Sequence, residues 1–151
     1  MKSDIKLKVH RLRENVNLPS YATEGSVGMD LTAAIAEPFE FKPFERKLVL
    51  TGIVIEIPKG FEAQVRPRSG LSIKHGITLI NCVGTIDQDY RGEVCVPIIN
   101  LSQETYTIFP GDRIAQLIIS PIEKVEIVEI TDFEDITLTA RAGGGFGSTG
   151  R

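Results

Sequence analysis

Hydrophobic residues in this chain recur at every second position over short stretches, and no amphipathic helix of ten or more residues can be drawn through them. Ile5, Leu7 and Val9 alternate with Lys6, Lys8 and His10, the period of a half-buried strand. Further segments rich in Val, Ile, Thr and Phe run over 48–57, 61–65, 77–83, 93–99, 105–109, 114–119 and 125–130. Turn signals separate them: Pro58-Lys59-Gly60, Asp89-Tyr90-Arg91-Gly92 and Pro110-Gly111-Asp112. Only residues 69–75 suit one or two helical turns. The spacing predicts an all-β chain folded as an antiparallel sandwich, jelly roll or distorted barrel. A length of 151 residues suits one domain, and no repeat, low-complexity block or interdomain linker divides it.

The balance of charge narrows the partners. Lys and Arg number 17 against 20 acidic residues, so no general polycationic surface exists to hold nucleic acid by counterion release. A bound anion must meet a local cluster instead. No apolar run reaches the length of a membrane span, and Met1-Lys2-Ser3-Asp4 does not open a signal-peptide core, so a soluble cytoplasmic protein without membrane contact is expected. Cys82 and Cys95 lack metal-ligand spacing and are expected to be small buried apolar side chains. His10 and His75 form no triad or metal pair and read as surface or loop residues. Neither a Gly-x-Gly-x-x-Gly fingerprint nor a Walker lysine is present.

Five segments could carry chemistry, and each has a plainer structural reading. Gly84-Thr85-Ile86-Asp87-Gln88-Asp89-Tyr90-Arg91-Gly92-Glu93 gathers two aspartates and a phenol at a hairpin turn; on one strand, Asp87 and Asp89 would share a face and offer a general base. Ordinary turn chemistry also explains them. Pro67-Arg68-Ser69-Gly70-Leu71-Ser72 could form an anion site at the start of a short helix, or simply a helix cap made by Ser69 or Ser72. In Gly111-Asp112-Arg113-Ile114-Ala115-Gln116-Leu117-Ile118, a lone amide interrupts an apolar strand and needs a partner in the protein or in a ligand. Gly28-Met29-Asp30-Leu31 places Asp30 after a turn. Residues 141–150 read Arg-Ala-Gly-Gly-Gly-Phe-Gly-Ser-Thr-Gly, a tail able to close on a flat base and phosphates, or a glycine-rich terminus with no task.

Taken in order over residues 28–150, these five segments resemble the five motifs of the trimeric dUTP pyrophosphatases. The resemblance implies a jelly-roll-like distorted β-barrel over residues 1–140, a C-terminal arm over 141–151 that closes on the site, and a homotrimer whose active sites draw on more than one subunit. It implies hydrolysis of dUTP to dUMP and pyrophosphate, which limits uracil incorporation into DNA and supplies dUMP for thymidylate synthesis. Asp87 would be the general base that launches water at the α-phosphorus, with Asp89 in support. A hairpin over 77–93 would hold uracil and deoxyribose: Asn81 and nearby backbone groups would read the base edge, Gly84, Thr85, Ile86 and Cys95 would be substrate contacts, and Tyr90 would lie beneath the sugar. Cytosine in such a site leaves buried polar groups unpaired, a penalty that can reach roughly 10⁴-fold.

By the same resemblance, Arg68, Ser69, Gly70 and Gln116 would contact the phosphate chain, and Asp30 would support the metal-water shell or the fold from a distance. Mg²⁺ would sit on phosphate oxygens and waters, with no direct protein ligand. Arg141, Gly147, Ser148 and Thr149 would reach the outer phosphates, and Phe146 would stack on uracil. Two departures stand out. Ala142 replaces a frequent glycine and would stiffen the arm if positive φ is needed there, and Met29 replaces a residue often aromatic or aliphatic. The nearest rival is a dCTP deaminase of the same superfamily, whose catalytic glutamate falls at Pro97, a residue unable to transfer a proton. A second rival is a nucleotide-binding module without turnover.

Overall fold

The computed structural model describes residues 5–144. Two long strands act as spines, one for each main sheet. Strand β5 (Arg46–Glu56) pairs with β1 (Lys8–Arg11) on one side and β9 (Glu93–Asn100) on the other, and β7 (Ile77–Leu79) completes that four-stranded sheet beyond β9. Strand β11 (Arg113–Pro121) lies between β3 (Met29–Thr32) and β6 (Phe61–Arg66) in a five-stranded sheet whose outer members are β2 (Ser20–Tyr21) and β8 (Gly84–Ile86). A small ribbon pairs β4 (Phe39–Phe41) with β10 (Tyr106–Ile108). The pairings are antiparallel, and the result is the jelly-roll-like β fold expected from the sequence.

Alternation explains the packing. Along β9, Val94, Val96, Ile98 and Asn100 face inward and are buried, while Glu93, Cys95, Pro97 and Ile99 are half-buried on the outer side. Leu31, Phe41, Ile53, Ile55, Ile98 and Leu117 meet between the sheets with their side chains fully enclosed. Each such burial contributes about 1.5–3 kcal/mol, which fixes the register because a slip by one residue would turn these groups outward.

Several expectations need correction. Residues 125–130 form no strand: Val125 and Ile127 are 81% and 92% exposed, so their alternation has no face to bury against within one chain. The 77–83 segment is a strand only over Ile77–Leu79. The helix α1 (Ser69–His75) exists, but its N-cap is Arg68 without a side-chain bond, so neither serine caps it; Ser72 Oγ donates to Ile77 O instead. Gly76 at φ +66° ends the helix, where a Cβ would stand 2.8 Å from Ser102 N. Cys82 is exposed and Cys95 half-buried, because one sits in a turn and the other on the outer face of β9; neither is a core residue. His10 and His75 are exposed, as read. Among the described residues no helix is long and apolar enough to cross a membrane.

Candidate active site

The register of the five-stranded sheet builds a polar cleft from three strands. Gln116 on β11 stands opposite Asp30 on β3 and Arg66 on β6, so the end of β6 and the start of α1 fall beside both. Asp30 is saturated. Its Oδ1 lies 3.4 Å from Arg68 Nε and its Oδ2 accepts from Arg113 Nη1 at 3.0 Å, while Arg68 Nη1 donates to Arg113 O at 3.0 Å. Gln116 Nε2 donates to Pro67 O at 3.0 Å, which answers the need for a partner that its apolar setting raised. Gly28 is required for that pose, since a Cβ there would stand 2.5 Å from Gln116 Oε1. Ser69 and Gly70 are exposed on the same rim. The cleft measures about 310 Å³, and two guanidiniums against one carboxylate leave it one net positive charge for an anionic ligand.

The segment carrying Asp87 is not a hairpin within one sheet. Strand β8 pairs with β6 in the five-stranded sheet, whereas β9 pairs with β5 and β7 in the other, so residues 87–92 cross between sheets. Asp87 and Asp89 therefore lie in a turn and not on a strand that would align them. Both are exposed, and the Asp87 carboxylate has no hydrogen bond or ion pair among the described residues. The Tyr90 N–H closes the turn onto Asp87 O at 3.1 Å, and the Tyr90 hydroxyl donates to Glu93 O at 3.0 Å. A Cβ at Gly92 would collide with the Tyr90 ring, so only glycine lets the phenol fold back this way.

Thr85, Ile86, Asp87, Tyr90, Glu93, Val94 and Cys95 line a second cleft of about 190 Å³. Burial, reinforced by the nearby Glu93 charge, pushes the Cys95 thiol above its ordinary pKa, and Cys95 Sγ donates to Glu93 O at 3.4 Å. Asn81 is exposed beside buried Gly84, where a Cβ would stand 3.3 Å from Asn81 Nδ2. The two clefts share no lining residue. One copy of the chain thus keeps the cationic residues and the free carboxylate in separate places. Arg141 is exposed, with Nε donating to Gly144 O at 2.8 Å, and Ala142 does take positive φ, +42°, the strained case for a non-glycine residue. Phe146, Gly147, Ser148 and Thr149 lie outside the described residues.

Sequence reasoning passed over two residues that the geometry brings forward. Arg113 is the second cation on Asp30, and its only signal was a position in the same motif as Gln116. Glu93, at the exit of the turn, contacts Arg13 and Gly52 from far along the chain, and nothing in the local pattern marks it.

The chain as a whole has parallels among known proteins. A deoxyuridine 5'-triphosphate nucleotidohydrolase of Finegoldia magna is 56% identical over 91% of this chain and 94% of its own. One from Fusobacterium nucleatum is 52% identical over 97% and 98%. Among solved structures, a Staphylococcus bacteriophage 80alpha dUTPase with dUpNHpp superposes with a TM-score of 0.85 at 27% identity, covering 97% of this chain and 99% of that one. A dUTPase from phage phi11 of S. aureus, described with a structural Mg(II) ion, superposes with a TM-score of 0.77 at 27% identity over 85% and 99%. The dUTPase family model matches residues 14–150, which span every segment of both clefts, and the chain belongs to the dUTPase family.

Proposed function

We propose that this chain hydrolyses dUTP to dUMP and pyrophosphate, with Asp87 as the base that orients and deprotonates the attacking water. Family membership supports the substrate and the overall reaction. The observation that carries the mechanism is the contrast between carboxylates: Asp87 is free at the mouth of a cleft, whereas Asp30 is consumed by two guanidiniums. A general base must keep its lone pairs available for the water it activates. Arg68, Arg113 and Gln116, with Ser69 and Gly70 on the rim, would hold the triphosphate and neutralise its charge, the larger share of catalysis in such displacements. The backbone of residues 84–86 and Cys95, with Asn81, would meet the uracil edge, and Tyr90 would pack under the deoxyribose. Arg141 and the arm beyond it would close on the phosphates, and Phe146 would stack on the base.

The donor set fits Mg²⁺ carried by the substrate. Both Asp30 oxygens are engaged by arginines, so phosphate oxygens and waters remain the natural ligands of a hard octahedral cation. When bound, the ion would offset charge on the phosphates. Such an enzyme would limit uracil in DNA, provide dUMP for thymidylate synthesis and work in the cytoplasm.

The same reading makes the protein a homotrimer with shared sites. Two clefts with no common residue within one copy, and exposed Val125, Ile127, Val128 and Leu138 in the stretch after β11, are what a site completed between copies would leave in each chain. Incubating the purified chain with dUTP, dCTP, dTTP and UTP, with and without Mg²⁺, tests the activity: pyrophosphate from dUTP alone is expected, and ammonia from dCTP would reverse the assignment. Mixing Arg68→Ala and Asp87→Asn variants tests the shared site. Each is expected to be inactive alone and partly active after subunit exchange; a monomer by light scattering, or no recovery, would sink the trimer.

A further inference from the structure

A bulge in β5 leaves a backbone donor without a ladder partner, and a side chain from the far end of the crossover turn takes it. Pairing between β5 and β9 runs from Arg46↔Ile99 to Leu50↔Cys95 and resumes only at Val54↔Glu93. At the break Gly52 takes φ +72°, and a Cβ there would stand 2.5 Å from Val16 Cγ2. The Gly52 N–H donates to Glu93 Oε1 at 2.7 Å, and the same oxygen accepts from Arg13 Nη2 at 2.7 Å. Arg13 is itself placed by the barrel: Nη2 reaches Ala34 O at 3.3 Å, and the neighbouring Leu12 N–H donates to Gly52 O at 2.8 Å. The Glu93 side chain is only 18% exposed, so water does not freely replace a lost partner. Its carbonyl accepts from the Tyr90 hydroxyl and the Cys95 thiol. The side chain grips the barrel while the main chain grips the turn.

We infer that Glu93 is a positioning residue, and that the Arg13–Glu93–Gly52 clamp pre-organises the turn bearing Asp87 and Tyr90 for the base and sugar of the substrate. Residues 87–92 have no ladder of their own, because β8 leaves from one sheet and β9 enters the other, so the turn is ordered from its two ends. Glu93 anchors the exit. Without that anchor, nucleotide binding would have to supply the ordering itself. The inference rests on assigning this turn to the base and sugar, as proposed above.

The experiment uses the full chain and three variants: Glu93→Ala, Glu93→Gln and Arg13→Ala. Hydrogen exchange without ligand compares residues 84–95 with 105–121, and calorimetry measures dUMP and inorganic pyrophosphate separately. For Glu93→Ala, exchange in the turn is expected to accelerate about tenfold, and the dUMP Kd to rise about tenfold, as for a lost bond to a charged group. Pyrophosphate, held in the Asp30–Arg68–Arg113 cleft, which shares no residue with the clamp, should change by less than about twofold. Glu93→Gln keeps an acceptor for Gly52 and should recover most of the dUMP affinity, with Arg13→Ala intermediate. Unchanged exchange in Glu93→Ala, equal loss of both ligands, or no rescue by glutamine would each overturn the clamp. Should Glu93→Ala not fold, Arg13→Ala and Glu93→Gln carry the same comparison. Failure of the parent chain to bind dUMP would instead remove the base-and-sugar assignment, and the exchange data would still judge the clamp.

Discussion

Asp30 and Asp87 are the same residue type in opposite settings. Asp30 sits on a strand in the middle of a sheet and spends both oxygens on Arg68 and Arg113, aiming two cations into a cleft. Asp87 sits on a crossover turn, exposed, with no partner among the described residues. Binding phosphates requires cations held at fixed spacing, and a half-buried carboxylate set between them is a means of fixing it. Activating water requires a carboxylate that nothing else has claimed. On the proposed mechanism, a paired carboxylate on a strand and an unpaired one on a turn would do different chemistry, and substitutions at each place should fail in different ways.

The largest effect is expected at the free carboxylate. Asp87→Asn keeps size and hydrogen-bonding shape but loses basicity, so kcat should fall at least about 10³-fold while affinity for a non-hydrolysable dUTP analogue stays within about threefold. Steady-state kinetics with calorimetry reads both, and a parallel loss of binding would make Asp87 a ligand and not the base. Asp30→Asn should fail the other way: with the anion gone, Arg68 and Arg113 repel and lose their aim, so KM for dUTP should rise about tenfold with a smaller change in kcat. An Asp30→Asn enzyme with unchanged KM would mean that the two arginines hold their places without it.

The contrast between these aspartates was only half legible in the sequence. Alternation along 93–99 was enough to give β9, which buries every second side chain, while 114–119 was legible as an apolar run and gives β11, burying Ile114, Ala115, Leu117 and Ile118 around Gln116. The apolar residues over 125–130 are as frequent, yet no strand forms there: Val125, Ile127 and Val128 stand exposed and pair with no strand among the described residues. The short β2, β3 and β4 were not read, as two to four residues carry too little period to separate from a turn. The motifs around both aspartates were visible, but their roles in the structure were not: Arg113 meets Asp30 across 83 residues and Arg13 meets Glu93 across 80, and a local pattern holds no trace of such pairs. The bulge at Gly52 and the closeness of Gly92 to Tyr90 are likewise matters of three-dimensional approach.

Glycines sharpen the contrast at smaller amplitude. Gly92→Ala must displace the Tyr90 ring, so kcat/KM for dUTP should fall about tenfold while the phosphate cleft keeps its pyrophosphate affinity. Gly25→Ala, with open space around it, serves as the control and should behave as the parent chain. Equal behaviour of the two variants would mean that the Tyr90 pose does not matter to turnover.

The smallest expected effect belongs to the thiol beside the turn. Cys95 is raised above the ordinary 9.0 first by burial and then by the Glu93 charge, so the folded chain holds this proton to higher pH than the unfolded chain does. Its contribution to stability is therefore intact below pH 9 and is lost as pH climbs through the folded value, which tilts the balance toward unfolding in alkali. Because the side chain is only half-buried, that loss should be the smallest of the effects considered. Urea titrations of the parent chain and of Cys95→Ala across this range should converge in slope at neutral pH and diverge above it, with the alanine variant flatter. Burial, Glu93 and Arg13 set the state of this thiol, and none of them belongs to the Asp30 cleft, so an Asp30→Asn variant should keep the parental alkaline slope; a changed slope there would mean that the two clefts are electrostatically joined.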